Sequence, residues 1–303
     1  MANQNIEQNT DHSEVELQAM NVKKPSPWKD FYKRLKRNKA ALIGFYTIVF
    51  LSIVSIVGPF LLSMDPSDVD VINKFSRPSA EHWFGTDHMG RDIFTRIVYG
   101  MKYTLGVGFG SVFLGAIMGV PLGIVAGYYG GRIDSFIMRL IDILLAFPGI
   151  LLALAIVSIL GGSLVNVTIA VAIYAIPGFA RIVRGSTLAA KKLEYVDAIR
   201  ALGSSDLRII FKHILPNVSS PVIVNATLYI ASAILTAAGL SFLGMGAQPP
   251  MPEWGAMLND GRDYIFDAGY IAFFPGMAIV IVVLAFNIFG DGLRDALDPK
   301  LKN

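Results

Sequence analysis

Long stretches without a charge alternate with short, charge-dense ones along this chain. Residues 41–64, 103–131 and 268–290 hold no Asp, Glu, Lys or Arg over 24, 29 and 23 positions. An apolar helix crosses a bilayer in about 20 residues, so each run predicts one span. Residues 143–180 are uncharged for 38 positions, too many for one crossing, and Gly161-Gly162-Ser163 divides them into two. Residues 213–252 also lack Asp, Glu, Lys and Arg, and after Pro216 they offer one span to about residue 243. The pattern predicts an all-α polytopic membrane protein with six transmembrane helices, at 41–63 and about 104–128, 138–160, 164–182, 219–243 and 269–289.

Composition agrees. Of 303 residues 53% are hydrophobic and only 16% charged, with mean hydropathy +0.54, which excludes an ordinary soluble domain. The absence of cysteine removes disulfides, thiol catalysis and cysteine-held metals. The distribution of Lys and Arg sets orientation. Residues 1–40, the turn before the third span and its start, 181–213 and the tail hold 20 of them, against six in the alternate segments. Cytoplasmic segments are the basic ones, so both termini are expected in the cytoplasm. Residues 1–27 read as a disordered cytoplasmic N-terminus with no cleaved signal. The aromatic and basic 28–40 stretch reads as an interfacial helix, anchored by snorkelling at the lipid surface. Residues 64–102 are expected as an extracytoplasmic loop and 291–303 as a cytoplasmic tail.

Within the second span Gly115, Gly119, Gly123 and Gly127 recur every four residues and form one smooth stripe. Such a stripe admits a neighbouring helix closely, and packing inside this subunit is the expected use. Pro121, Pro148 and Pro177 permit bends that suit a gated pathway. Asp134, Arg139 and Asp142 flank the third span, and Arg139 with Asp142 is spaced for pairing on one helix face. Asn225 and Asn287 lie within spans, either lining a pathway or satisfied between helices.

The densest polar insert is EYVDAIRALGSSDLRIIFKHILPN, residues 194–217. One helical piece runs into Gly203. A second is expected to start at Ser204 or Ser205 as cap, with Asp206 in its first turn, and to end at Pro216. Residue chemistry leaves two readings open, a docking element for a soluble partner and a solvated inter-span loop. Between the first two spans, His82, Asp87, His88 and Asp92 invite a metal reading, but their spacing suits no standard zinc or calcium loop. Gly85 and Gly90 suggest tight turns there, and Arg91 with Asp92 suggests internal pairing. No phosphate loop, nucleophile triad or dinucleotide fingerprint occurs, so any energy source must come from a partner.

Two of these segments carry a resemblance. The insert resembles the EAA loop of ABC importer permeases, EAA-x3-G-x9-I-x-L-P. Here Asp197-Ala198-Ile199 stands for EAA, Gly203 follows after three residues, and His213-Ile214-Leu215-Pro216 after nine more. The departures are Asp for Glu, Ile for Ala and His for Ile. The external HWFGTD..GRD..TR...G.K.TL, from His82, is similar to the signature of the oligopeptide, dipeptide and nickel branch. Thr95, Lys102 and Thr104 stand there for Ser, Arg and Ser. The resemblance implies a type I ABC importer permease fold, with 103–290 as its transmembrane domain and 185–217 as its coupling loop. It implies a non-catalytic subunit for peptide import. Its expected partners are a second homologous permease, two cytoplasmic ATPases that bind ATP and Mg, and an extracytoplasmic peptide-binding protein. No cofactor, metal or nucleic acid is expected in this chain. Asp197, Ala198, Arg200, Ala201, Leu202, Gly203, Ser204 and Ser205 would dock the ATPase, with Leu215 and Pro216 structural. Nickel or another small solute is the rival within the family. An ion-coupled secondary transporter and a membrane scaffold are the rivals outside it.

Overall fold

The computed structural model describes residues 27–297. Helix α1 (Pro27–Arg37) ends in basic residues, and Asn38 then caps α2 (Lys39–Leu61), its Oδ1 accepting from the Ala41 N–H at 3.1 Å. A loop at 62–92 leads to the long α3 (Ile93–Tyr129), capped by Asp92, which accepts from the Thr95 N–H at 2.7 Å. Gly130 and Gly131, both at positive φ, turn the chain directly into α4 (Gly131–Leu145). Then follow α5 (Gly149–Leu160), α6 (Leu164–Lys191), α7 (Glu194–Ala201) and α8 (Asp206–Ile209). A π turn at Ile210–Ile214 joins α8 to α9 (Leu215–Phe242), and α10 (Trp254–Arg262) and α11 (Tyr270–Leu297) are the last of the described helices.

Among the described residues five helical stretches are long and apolar enough to span a bilayer: α2, α3, α6, α8 through α9, and α11. The α4–α5 pair adds a sixth if counted as one span. Among the described residues there is no strand, only one isolated bridge between Thr86 and Asp92. Helices α3, α6, α9 and α11 form the packed centre, and α2 lies against α11 and α3. Ile43, Tyr46, Phe50, Ile53 and Phe60 of α2 point outward, as apolar side chains facing lipid do.

The α3–α6 contact is the most extensive in the fold, and the glycine stripe makes it. A Cβ added at Gly115 would lie 2.9 Å from Ala175 Cβ, at Gly119 2.7 Å from the Ile176 carbonyl oxygen, at Gly123 2.5 Å from that of Ala180, and at Gly127 2.7 Å from Thr187 Cβ. Lipid tails give helices no hydrophobic reason to associate, so close backbone approach is what holds this pair.

Several boundaries differ from the sequence expectation. The second helix begins at Ile93, not near residue 103. Arg96 and Lys102, which read as loop charges, are helical: Arg96 is buried among carboxylates, and the Lys102 ammonium lies over the rings of Tyr103 and Tyr99, 4.9 and 5.8 Å from their centroids. The 138–160 span is broken at Pro148, and its halves meet at 85°. Gly149 sits at the break with the Tyr174 ring where a side chain would be. Pro216 does not end a helix. It follows the π turn, whose i→i−5 bonding, Leu215 N–H to the Ile210 carbonyl, widens the winding ahead of its ring, so the helix continues from Asp206 to Phe242. The start of the expected coupling loop, residues 185–191, is the last two turns of α6. Arg139 does not pair with Asp142, which instead accepts from Arg181 of α6 at 2.6 Å. The expected disordered segment lies outside the described residues except for Pro27, which opens α1. Of the 291–303 tail, α11 takes the part to Leu297 and the rest lies outside.

Candidate functional site

The polar insert folds as a two-helix projection at one end of the bundle. Helix α7 stops where Gly203 takes φ +81°, a left-handed conformation that side chains resist, and α8 restarts after it. Neither serine supplies a side-chain cap to α8. Only the Ser205 carbonyl closes its first turn, accepting from the Ile209 N–H at 3.0 Å. Asp206 occupies the first turn of α8.

One face of the projection is plugged into the bundle. Val196 is fully buried with Ile209, Ile210 and Ile214, against Ile124 of α3 and Val183 of α6. The opposite face is open. Asp197, Ala198, Arg200, Ala201, Leu202, Gly203 and Ser205 are exposed, Ser204 is half-buried, and Leu202 stands 85% exposed at the tip. A small apolar tip rimmed by Asp197 and Arg200, paired at 3.3 Å, is a shape that fills a groove on another protein. Leu215 and Pro216 lie below, at the root of α9.

Polar ties fix how the projection sits. The Tyr128 hydroxyl donates to Asp206 Oδ1 at 2.7 Å and accepts from Arg200 Nη2 at 3.5 Å. Lys191 Nζ donates to the Tyr128 carbonyl at 2.5 Å and lies 5.5 Å from its ring centroid. The bond to Tyr128, and then the charges of Asp197 and Asp206, push the Arg200 guanidinium pKa further up, so it stays charged. On the far side, Asn217 Nδ2 donates to the Tyr195 hydroxyl at 2.8 Å. Sequence reasoning passed over Tyr128. Its one local mark is its place directly after Gly127, the last glycine of the stripe.

Beside the projection an apolar groove of 560 Å³ runs between α3 and residues 207–215, lined among others by Phe113, Pro121, Tyr129, Leu207 and Phe211. Farther along α6, Arg184 holds Asp134 of α4 through two bonds of 2.6 Å.

At the other end of the bundle, the His82-to-Arg96 signature folds around a buried ionic cluster. Arg91 Nε donates to Asp87 Oδ2 at 2.6 Å and its Nη2 to Asp260 of α10 at 3.2 Å, while Arg96 lies 3.8 and 3.7 Å from the same two carboxylates. Arg91 therefore pairs with Asp87 and Asp260, not with Asp92. His82 faces Asp92 at 3.0 Å, and His88 stacks on Tyr264. Among the described residues no three such side chains gather as a metal site. Gly85 and Gly90 both have positive φ. Trp254 is fully buried and its indole N–H donates to the Ile97 carbonyl at 3.0 Å. Glu253 caps α10 through the Gly255 and Ala256 N–H groups, both 3.0 Å, and burial pushes its carboxyl pKa up.

Comparison with known proteins decides the family. The model for binding-protein-dependent transport system inner membrane components matches residues 119–303, and that for the N-terminal transmembrane domain of oligopeptide transport permease C matches 26–78. This chain is an ABC importer permease. It is 53% identical over 278 residues to the dipeptide transport system permease protein DppC of Alkalihalophilus pseudofirmus, covering 92% of this chain and 91% of that one. It is 48% identical over 281 residues to the glutathione transport system permease protein GsiD of Pectobacterium atrosepticum, covering 92% and 93%. A solved structure of the MetNI methionine ABC transporter, inward facing, matches 68% of the permease and 98% of its own chain at TM-score 0.57 and 21% identity. That likeness establishes the type I importer fold of this multi-pass membrane protein.

Proposed function

We propose that the chain is one permease of an ATP-driven importer of short peptides in a prokaryotic cell membrane. The names of its relatives, a dipeptide and a glutathione permease at 53% and 48% identity over nine-tenths of the chain, support this substrate class over nickel. A second homologous permease pairs with it, two cytoplasmic ATPases bind ATP and Mg, and an extracytoplasmic protein delivers peptide. Both termini and the α7 end face the cytoplasm, in line with the basic residues there. The loops at 65–96 and 246–267 then receive the binding protein.

The observation that carries the mechanism is the open face of α7 and its Gly203 turn. Helix α7 inserts into a groove on one ATPase. Ala201 and Leu202 fill the groove, Asp197 and Arg200 pair at its rim, and Ala198, Ser204 and Ser205 complete the contact. ATP-driven closure of the ATPases moves these helices as rigid bodies and alternates access between the bundle's two ends. Gly203→Trp leaves the subunit inserted, because its added Cβ meets nothing within 4 Å, but strains the turn and crowds the contact. Membrane level, ATPase co-purification and peptide uptake are measured together. Normal membrane level with lost co-purification or uptake is expected. Normal values of all three would refute the docking reading.

A further inference from the structure

We propose that Tyr128 is the positioning residue that makes α3 follow the docking projection. The inference rests on the reading of α7 as the ATPase contact and adds the route by which its motion enters the bundle.

Tyr128 is 3% exposed and meets four elements at once. It belongs to α3, its backbone carbonyl and ring hold Lys191 at the end of α6, and its hydroxyl links Arg200 of α7 to Asp206 of α8. The Arg200–hydroxyl–Asp206 chain runs from a cation through a neutral hydroxyl to a carboxylate, so each bond polarises the next. It spans the 202–205 link between α7 and α8, which contains Gly203 at positive φ. The apolar plug of Val196, Ile209 and Ile124 holds the projection in place but is non-directional and leaves its angle free. The phenol supplies direction on the α3 side, as the Asn217–Tyr195 bond does on the α9 side. One residue before it, Gly127 ends the stripe that seats α3 on α6. A rotation of the projection delivered at Tyr128 therefore turns the α3–α6 pair as a unit.

The test uses the whole complex, both permeases with ATPases and binding protein, in proteoliposomes. Tyr128→Phe removes one oxygen from a well-packed ring. The expected result is normal membrane level and ATPase co-purification, retained ATP hydrolysis, and a fall of about tenfold in peptide imported per ATP. Asp206→Ala should give a similar loss, and the double variant no further one, since both break the same chain. Tyr129→Phe, a hydroxyl lost one residue away, should behave as wild type. The chain has no cysteine, so spin labels on cysteines placed at Glu194, an exposed α7 residue outside the docking set, and Phe113 report whether α3 follows α7. Their separation should stay constant on ATP binding in wild type and change in Tyr128→Phe. Wild-type coupling in Tyr128→Phe, additive losses, an equal loss in Tyr129→Phe, or loss of ATPase binding instead of coupling would each overturn the proposal. Gly203→Trp run in parallel separates the two readings. If it uncouples while Tyr128→Phe does not, only the role of Tyr128 falls. If it too is without effect, the docking reading falls first.

Discussion

The glycine stripe offers a perturbation whose size can be worked from the structure. A methyl at Gly119 would lie 2.7 Å from the Ile176 carbonyl oxygen and from Phe179 Cβ. At Gly123 it would lie 2.5 Å from the Ala180 carbonyl oxygen and 2.8 Å from Val183 Cβ. These are backbone atoms and Cβ carbons, which have no rotamer to yield, so α3 and α6 must separate by about 1 Å to restore van der Waals spacing near 3.5–4.0 Å. Overpacking of this kind costs about 1–3 kcal/mol per site. Alanine also returns about 0.8–1 kcal/mol over glycine in helix propensity. A control pair removes that return from the comparison. Gly106 on α3 and Gly185 on α6 have nothing within 4 Å of an added Cβ. Gly106→Ala with Gly185→Ala gains propensity without a clash. The Gly119→Ala/Gly123→Ala double should then be about 2–6 kcal/mol less stable than this control double. At about 2 °C per kcal/mol for a chain of this size, apparent Tm of the isolated subunit in detergent should differ by about 4–12 °C. Scans at one fixed rate are needed, because such unfolding is irreversible. Equal Tm for the two doubles would refute the claim that glycine-to-backbone contact holds α3 on α6.

Three further outcomes follow from particular residues. Asp87→Asn leaves Arg91 and Arg96 sharing Asp260 alone, so a loss of about 3 kcal/mol or more is expected; a Tm and membrane level like wild type would remove the ionic cluster from the account of the fold. Glu253 has a raised folded pKa, so its stabilising contribution is full below the ordinary carboxylate range and is lost as pH rises through the folded value. The Tm of wild type minus that of Glu253→Gln should therefore be larger near about pH 5 than near about pH 8, and a flat difference would refute the shift. Reporter fusions at Asp68 and after Lys302 should read external and cytoplasmic respectively, and the reverse at either point would sink the proposed orientation.

Spans were the legible part of this sequence, because a bilayer demands about 20 uncharged residues and leaves no other way to satisfy the backbone. Local charge misled where its partner was distant. Arg96 looked like a loop residue because Asp260, which helps neutralise it, comes from α10. The Arg139 and Asp142 spacing was locally sound, but Arg181 lies closer to Asp142 in space. Proline misled in two ways. Pro216 is a stop by local rule, and only the π turn before it shows why the helix continues. Pro148 announces a bend, but neither its 85° size nor the packing of Tyr174 over Gly149 at the break is encoded in any spacing. In the 194–217 insert the positive φ of Gly203 was legible, since a glycine between two polar helical pieces has little other use. The Tyr128 tie was not, because it joins residues 78 positions apart and an aromatic at a helix end usually signals only an interface.

The length of α3 matters to any coupling between the two ends of the molecule. Its 37 residues extend about 55 Å, well beyond the roughly 30 Å of hydrocarbon. One end carries Arg96 in the ionic cluster that ties the His82-to-Arg96 loop to α10, with Trp254 bonded to the Ile97 carbonyl nearby. The other end carries Tyr128 and the two-helix projection. Between them the glycine stripe presses α3 against the backbone of α6, where no side chain can change rotamer to absorb a shift. A displacement entering at one end is therefore passed along rather than dissipated in side-chain rearrangement. On the docking reading, ATP-driven motion at α7 and binding-protein contact at the loops act on opposite ends of one helix. A glycine substitution that loosens α3 from α6 should then weaken stimulation of ATP hydrolysis by the loaded binding protein as well as stability. An exposed substitution of equal size, such as Gly106→Ala, should weaken neither.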